Sequence, residues 1–353
     1  MKKWFYPCLS VLSVAAILFT AACGSGEYGE YIGSRDFASP AQIGFVWDVA
    51  GTNFQTSSLT DTNPHAHVGR VARQATVFTA DGQIHRVNGF ANAILSEHED
   101  GGIDLKLADG RVFVNIAGVI ANPPETVITQ AYYDALYYLQ AGNRVMIIVL
   151  DGWGWHMQRY HAEHQPFLSA QQMRMAHTVF PPFTPVAMAS IFTGQTPDMH
   201  GVHDRATRTM AAPDIFTAAY ELGFSSTRVQ GGVNIVQTSV LSALIPNLGH
   251  VFDTDRGVFE AAISRIDDTD LMFIHFNAVD DTSHTYGPYS PQTGEAMAFV
   301  DQLVRDLVAA WDGVTIILAD HGQHYLGQQG RLGDHLWVSH EDIFVPYVVI
   351  GGR

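Results

Sequence analysis

From about residue 143 onward, short apolar runs alternate with longer stretches in which apolar residues recur every three or four positions. The runs Val145–Leu150, Ser226–Val229, Leu271–Phe276, Val314–Leu318 and Pro346–Ile350 read as buried strands. The stretches Thr129–Gln140, Ser169–Ala176, Pro185–Phe192, Ile215–Leu222, Gly257–Ile266 and Pro291–Trp311 read as helices. Strands alternating with helices predict an α/β fold with a mostly parallel sheet flanked by helices.

Residues 39–124 have a different pattern. Ala75–Thr79 and Gln83–Val87 flank Ala80-Asp81-Gly82, and Ile103–Leu107 and Val112–Ile116 flank Ala108-Asp109-Gly110-Arg111. Short alternating runs around an Asp-Gly pair predict hairpins. We therefore expect a small N-terminal β-rich region, ended by Pro123-Pro124, and a catalytic-sized domain over 125–353. His65 and His67 read as polar loop residues.

The first residues are expected to lie outside the fold. Lys2 and Lys3 precede the apolar run Leu9–Ala22, which ends in Thr20-Ala21-Ala22-Cys23. A basic start, a short apolar segment and small residues before a cysteine resemble a bacterial lipoprotein signal over 1–23, with lipid on Cys23 and an extracytoplasmic, membrane-anchored address. Residues 24–38 read as a flexible tether. The glycines of Gly24-Ser25-Gly26-Glu27-Tyr28-Gly29 have dinucleotide-loop spacing, but no strand precedes them and no helical pattern follows.

Composition narrows the chemistry. Among 353 residues the net charge is −16, which argues against an electrostatic binder of nucleic-acid duplexes. The only cysteines are Cys8 and Cys23, so a mature chain has no disulfide and any metal must be held by histidine and carboxylate. Seventeen histidines stand against nineteen Lys plus Arg, a high share consistent with such ligands.

Three predicted strands lead into acids. Val145–Leu150 runs into Asp151, Leu271–Phe276 runs on to Asp280 and His284, and Val314–Leu318 runs through Ala319 into Asp320-His321. In open parallel sheets, sites gather beyond the carboxyl ends of the strands, so the three groups converge on one rim. Thr184 stands directly before Pro185 and a small-residue apolar run, a helix start at which backbone N–H groups and the dipole favour an anion. A hydroxyl there suits a nucleophile that attacks phosphorus.

Asp151 after its strand, FTPVAMASIFTGQTPDMHGV around Thr184, DDTSHTYGP around His284 and ADHG at Asp320-His321 together resemble the alkaline phosphatase superfamily, and within it the type I phosphodiesterase/nucleotide pyrophosphatase branch. The likeness runs from about Val145 to the C-terminus. It implies an alkaline-phosphatase-like fold and two divalent metal ions. One would be held by Asp151, Thr184, Asp320 and His321. The other would be held by Asp280, His284 and a late histidine, with His340 favoured and His335 the rival. Mixed histidine and carboxylate ligands suit zinc, with manganese or iron as alternatives. The resemblance also implies cleavage of a small phosphodiester or pyrophosphate, such as a nucleotide, through a covalent phosphothreonine at Thr184. It leaves open a phosphomonoesterase, a phosphonate hydrolase or a sulfatase, and, outside enzymes, a surface lipoprotein that keeps the fold as a binding module. One position departs from the branch: where nucleotide pyrophosphatases carry an asparagine past a His-Gly-hydrophobic element, this chain has Arg205 after His200-Gly201-Val202. The loops Trp153–Phe167 and Gly322–Leu336 are candidates for setting specificity.

Overall fold

The structure is a computed structural model. It describes residues 74–351 except 89, 91–92 and 99–101, together with the strand backbones at 44–48 and 54–58. The proposed signal, the tether, Cys23, His65 and His67 lie outside the described residues. Among the described residues, no helix is long and apolar enough to cross a membrane.

An eight-stranded sheet forms the centre. In spatial order its strands are Ser242–Ile245, Ser226–Gly231, Leu271–Phe276, Val145–Leu150, Val314–Leu318, Phe344–Ile350, Met173–His177 and Thr126–Val127. All neighbours run parallel except around Phe344–Ile350, which is antiparallel to both its partners. Every side chain of Val145–Leu150 and Leu271–Phe276 is buried, as expected of strands covered on both faces. Each such Val, Leu, Ile or Phe contributes about 1.5–3 kcal/mol from burial.

The helix Thr184–Thr193 is buried at all ten positions. An apolar helix with no polar stripe has no stable place except between layers. Its Phe192 packs on Phe273, with ring centroids 4.6 Å apart. Gly194 ends it in the left-handed conformation at φ 67°, and a Cβ there would stand 2.9 Å from the Tyr132 ring. Only glycine meets both demands.

The N-terminal region forms two smaller sheets. Phe54–Ser58, Gly44–Asp48, Ile116–Ala121, Gln74–Thr79 and Ile84–Asn88 make a five-stranded sheet, and Ile94–Glu97, Ile103–Lys106 and Val112–Phe113 a three-stranded one. Phe78, Ala117 and Ile120 of the first share a core cluster with Phe180, Val338, Ile343 and Phe344, so the β-rich region packs directly against the segments around the site.

Three expectations need correction. Ser169–Ala176 is not a helix: a short helix at Pro166–Ser169 stops, and Met173–His177 becomes a strand beside Phe344–Ile350. Sheet pairing outweighs a helical spacing of apolar residues that is equally compatible with a half-buried strand. Val112–Ile116 is not one strand either. Asn115 turns at φ 49°, so Val112–Phe113 pairs with Ile103–Lys106 while Ile116–Ala121 crosses into the larger sheet. The helix expected from Gly257 begins at Val251, where the His250 ring accepts from the Phe252 N–H. Gly257 therefore lies inside it, at a point where a Cβ would come within 2.8 Å of the Ile245 side chain on the edge strand.

Candidate active site

Asp151, Asp280 and Asp320 all lie just beyond the carboxyl ends of adjacent strands. Asp151 and Asp320 follow Val145–Leu150 and Val314–Leu318 closely; Asp280 sits in the first turn of the helix Ala278–Tyr286 that follows Leu271–Phe276. That helix places His284 one turn on from Asp280, with His284 Nε2 3.3 Å from Asp280 Oδ2. Gly152 lets the parts close up. It has φ 71°, and a Cβ there would stand 2.9 Å from Asp280 Oδ1. Its N–H donates to Asp320 Oδ1 at 3.2 Å.

Two groups of ligand-type atoms result: Asp151, Asp320 and His321, and Asp280, His284 and His335. In the first, His321 Nε2 lies 3.2 Å from Thr184 Oγ1, 3.4 Å from Asp151 Oδ1 and 3.3 Å from Asp320 Oδ2. Neighbouring ligand atoms of a tetrahedral centre with bonds of about 2.0–2.1 Å are separated by about 3.3–3.4 Å, the same spacing. Asp151 Oδ1 and Asp320 Oδ2 are buried without a hydrogen-bond partner. Orphaned carboxylate oxygens are costly in a buried site, and a cation between them removes the cost.

The histidines are held from behind. The Nδ1–H groups of His321, His284 and His335 donate to the carbonyl oxygens of Gly322 (3.1 Å), Gly333 (2.8 Å) and Pro182 (2.9 Å). A carbonyl only accepts, so each Nδ1 carries a proton and each Nε2 faces the site, the usual support of a metal-binding imidazole. His321 and His335 stack at 3.9 Å between ring centroids, which joins the two groups.

The electrostatics call for positive charge. Burial, with Asp320 and Asp280 nearby, raises Asp151 well above the usual carboxylate range. Asp320 is raised as well, by burial and Asp280 against the pull of His321. Burial alone would raise Asp280, but the His284 ion pair and hydrogen bond outweigh it and hold the carboxyl below its ordinary value. His284 is correspondingly raised to about 9, the Asp280 charge prevailing over burial. His335 falls well below its usual value through burial and the neighbouring His321 and His284.

A family model described as type I phosphodiesterase/nucleotide pyrophosphatase matches residues 145–239 and 234–341, together more than half of the chain. The chain belongs to the type I phosphodiesterase/nucleotide pyrophosphatase family. No curated protein matches it. Among solved structures, it is similar to phosphonoacetate hydrolase from Sinorhizobium meliloti 1021 with phosphonoformate bound, at 20% identity and TM-score 0.43, over 51% of this chain and 57% of that one. It thus spans little more than half the length of that hydrolase. It is also similar to murine ectonucleotide pyrophosphatase/phosphodiesterase 5, at 15% identity and TM-score 0.45, over 59% of this chain and 88% of that one.

The two late histidines weighed in the sequence fall in different places. The sequence favoured His340, but His335 is the histidine whose ligand atom groups with Asp280 and His284. His335 directly follows the hairpin strand Arg331–Asp334, and Gly333 of that strand accepts from His284, so the hairpin docks on the Asp280–His284 helix. His340 instead opens the short helix His340–Ile343, capped by Ser339, and its ring faces His156 at 6.5 Å. Arg205 is exposed, with its guanidinium 4.9 Å from the ring centroid of Phe183, the residue before Thr184. His161 is buried and bonded to Pro288 O at 2.9 Å.

Other supporting residues were missed. Gln323 Nε2 donates to Asp280 Oδ1, Thr178 Oγ1 to Asp320 O, and His275 Nε2 to Asp151 Oδ2 at 2.9 Å. His275 had a signal: it is the one polar side chain within the apolar run Leu271–Phe276.

Proposed function

We propose that this chain is an exported phosphohydrolase that cleaves small phosphodiesters or pyrophosphates, nucleotides among them, with Thr184 as the nucleophile. The observation that carries the reading is the arrangement around His321 Nε2, where the Thr184 hydroxyl and two unpartnered carboxylate oxygens lie at metal-ligand spacing. Asp151, Asp320, His321 and Thr184 would hold one divalent ion, and Asp280, His284 and His335 a second, zinc by the chemistry of the donors. Bound there, the ions supply charge that lowers the pKa of the hydroxyl and stabilises the leaving oxygen.

The chain's own residues do the rest. Thr184 opens its helix, so its oxygen sits where the positive end of the dipole and unpaired N–H groups favour an alkoxide and a phosphoryl oxygen. Its Oγ1 forms a bond to phosphorus as the bond from phosphorus to the leaving oxygen breaks. Water then hydrolyses the phosphothreonine and restores the hydroxyl. Lipid on Cys23 would tether the enzyme to the outside of a membrane.

The test is a hydrolysis screen of nitrophenyl monoester, diester, phosphonate and sulfate substrates with wild-type and Thr184→Ala protein. The reading expects the diester to be turned over by wild type and not by Thr184→Ala. Sulfate turnover alone, or wild-type rates from Thr184→Ala, would overturn it. Labelled fatty acid incorporated into wild type and not into Cys23→Ser tests the tether; equal labelling would end that claim.

A further inference from the structure

His275 occupies the fifth position of Leu271–Phe276 and has no solvent exposure. Strand register sets it between Val149 of the central strand and Gln230 on the other side. Its Nε2 lies 2.9 Å from Asp151 Oδ2, and its Nδ1 is buried without a partner. The carboxylate is therefore divided: Oδ2 is taken by the imidazole, while Oδ1 meets no donor and lies 3.4 Å from His321 Nε2.

We propose that His275 is a positioning residue for metal binding, its Nε2–H fixing Asp151 so that Oδ1 points into the group formed with Asp320, His321 and Thr184. This inference rests on the two-metal reading above. A buried carboxylate can rotate about its last torsion, and whichever oxygen loses its donor seeks another. Holding Oδ2 removes that freedom before an ion arrives. Supporting partners of this kind change metal affinity by about 10–100-fold when removed. A residue that merely filled space would not.

The experiment is zinc titration of the metal-stripped full chain against a competing chelator, with thermal unfolding of the stripped protein alongside. His275→Leu should weaken one of two zinc-binding steps by about 10–100-fold and leave the other unchanged. His275→Gln reaches the position of Nε2 with an amide N–H and should recover most of the affinity. His275→Asn reaches only the position of Nδ1 and should not. Wild-type affinity in His275→Leu overturns the proposal. If His275→Leu does not fold, the Gln and Asn variants decide it: Gln tighter than Asn supports it, and equal affinities overturn it. A wild-type chain that takes up no zinc overturns the two-metal reading itself, and the inference with it.

Discussion

At the scale of residues, the structure separates two histidines that the sequence could not. His335→Ala should lose metal and activity together, because its Nε2 faces Asp280 and His284 while its Nδ1 is tied to Pro182. His340→Ala should retain both. Metal content after dialysis, measured on both variants, checks this; loss of metal only from His340→Ala would restore the sequence-based assignment. Arg205 bears on the choice of ester. A guanidinium can bond two phosphate oxygens at once, and a monoester has one more free oxygen to offer than a diester. Its place over Phe183 brings it to the start of the helix Thr184–Thr193. Arg205→Asn is expected to lower the ratio of monoester to diester kcat/KM by about tenfold, the scale of one lost charged hydrogen bond. An unchanged ratio would mean that Arg205 takes no part in phosphate recognition. The acids and His321 stood out because each follows an apolar strand; the choice of His335 over His340 and the place of Gln323 did not, because they depend on a hairpin docking on a distant helix, which spacing along the chain does not encode.

At the scale of elements, the helix Thr184–Thr193 and the central strands were legible almost to the residue, since a proline start, a glycine stop and uninterrupted apolar runs leave few alternatives. The outlying strands were not. Met173–His177 and Ser242–Ile245 gain their strand conformation from neighbours already in the sheet, and the pattern of either is ambiguous alone. The turn after Val145–Leu150 supports a prediction at this scale. Gly152→Ala must place a Cβ at φ 71° and 2.9 Å from Asp280 Oδ1, pushing apart two acid-bearing elements. The backbone term alone costs about 1–2 kcal/mol. Denaturant unfolding should show at least that loss, and zinc binding should weaken with it. A variant as stable and as metal-binding as wild type would show that the rim does not need this close approach.

At the scale of the whole molecule, the β-rich region meets the catalytic sheet at His177, buried with its ring edge-on to Phe78 at 5.8 Å between centroids. Burial lowers its pKa to about 4. The unfolded chain therefore binds a proton near pH 6.5 that the folded chain does not accept until about pH 4. Its contribution to stability is complete above pH 6.5 and is lost as pH falls toward 4. Asp255, raised by burial to about 7, acts with the opposite sign, so the comparison must be made against a single variant. His177→Asn keeps a donor for the Thr178 carbonyl but does not titrate, and the slope of stability against pH between 4 and 6.5 should be shallower for it than for wild type. Equal slopes would remove His177 from the acid response. Within the whole assembly, one hydroxyl lies beside two acids and an imidazole, and the proposed function turns on it. The most direct measurement is therefore acid quench of zinc-loaded protein during turnover of a nitrophenyl diester, followed by peptide mass analysis. The account expects a phosphate ester on Thr184 in wild type and none in Thr184→Ala; turnover with Thr184 unmodified at every time sampled, and undiminished in Thr184→Ala, would contradict it.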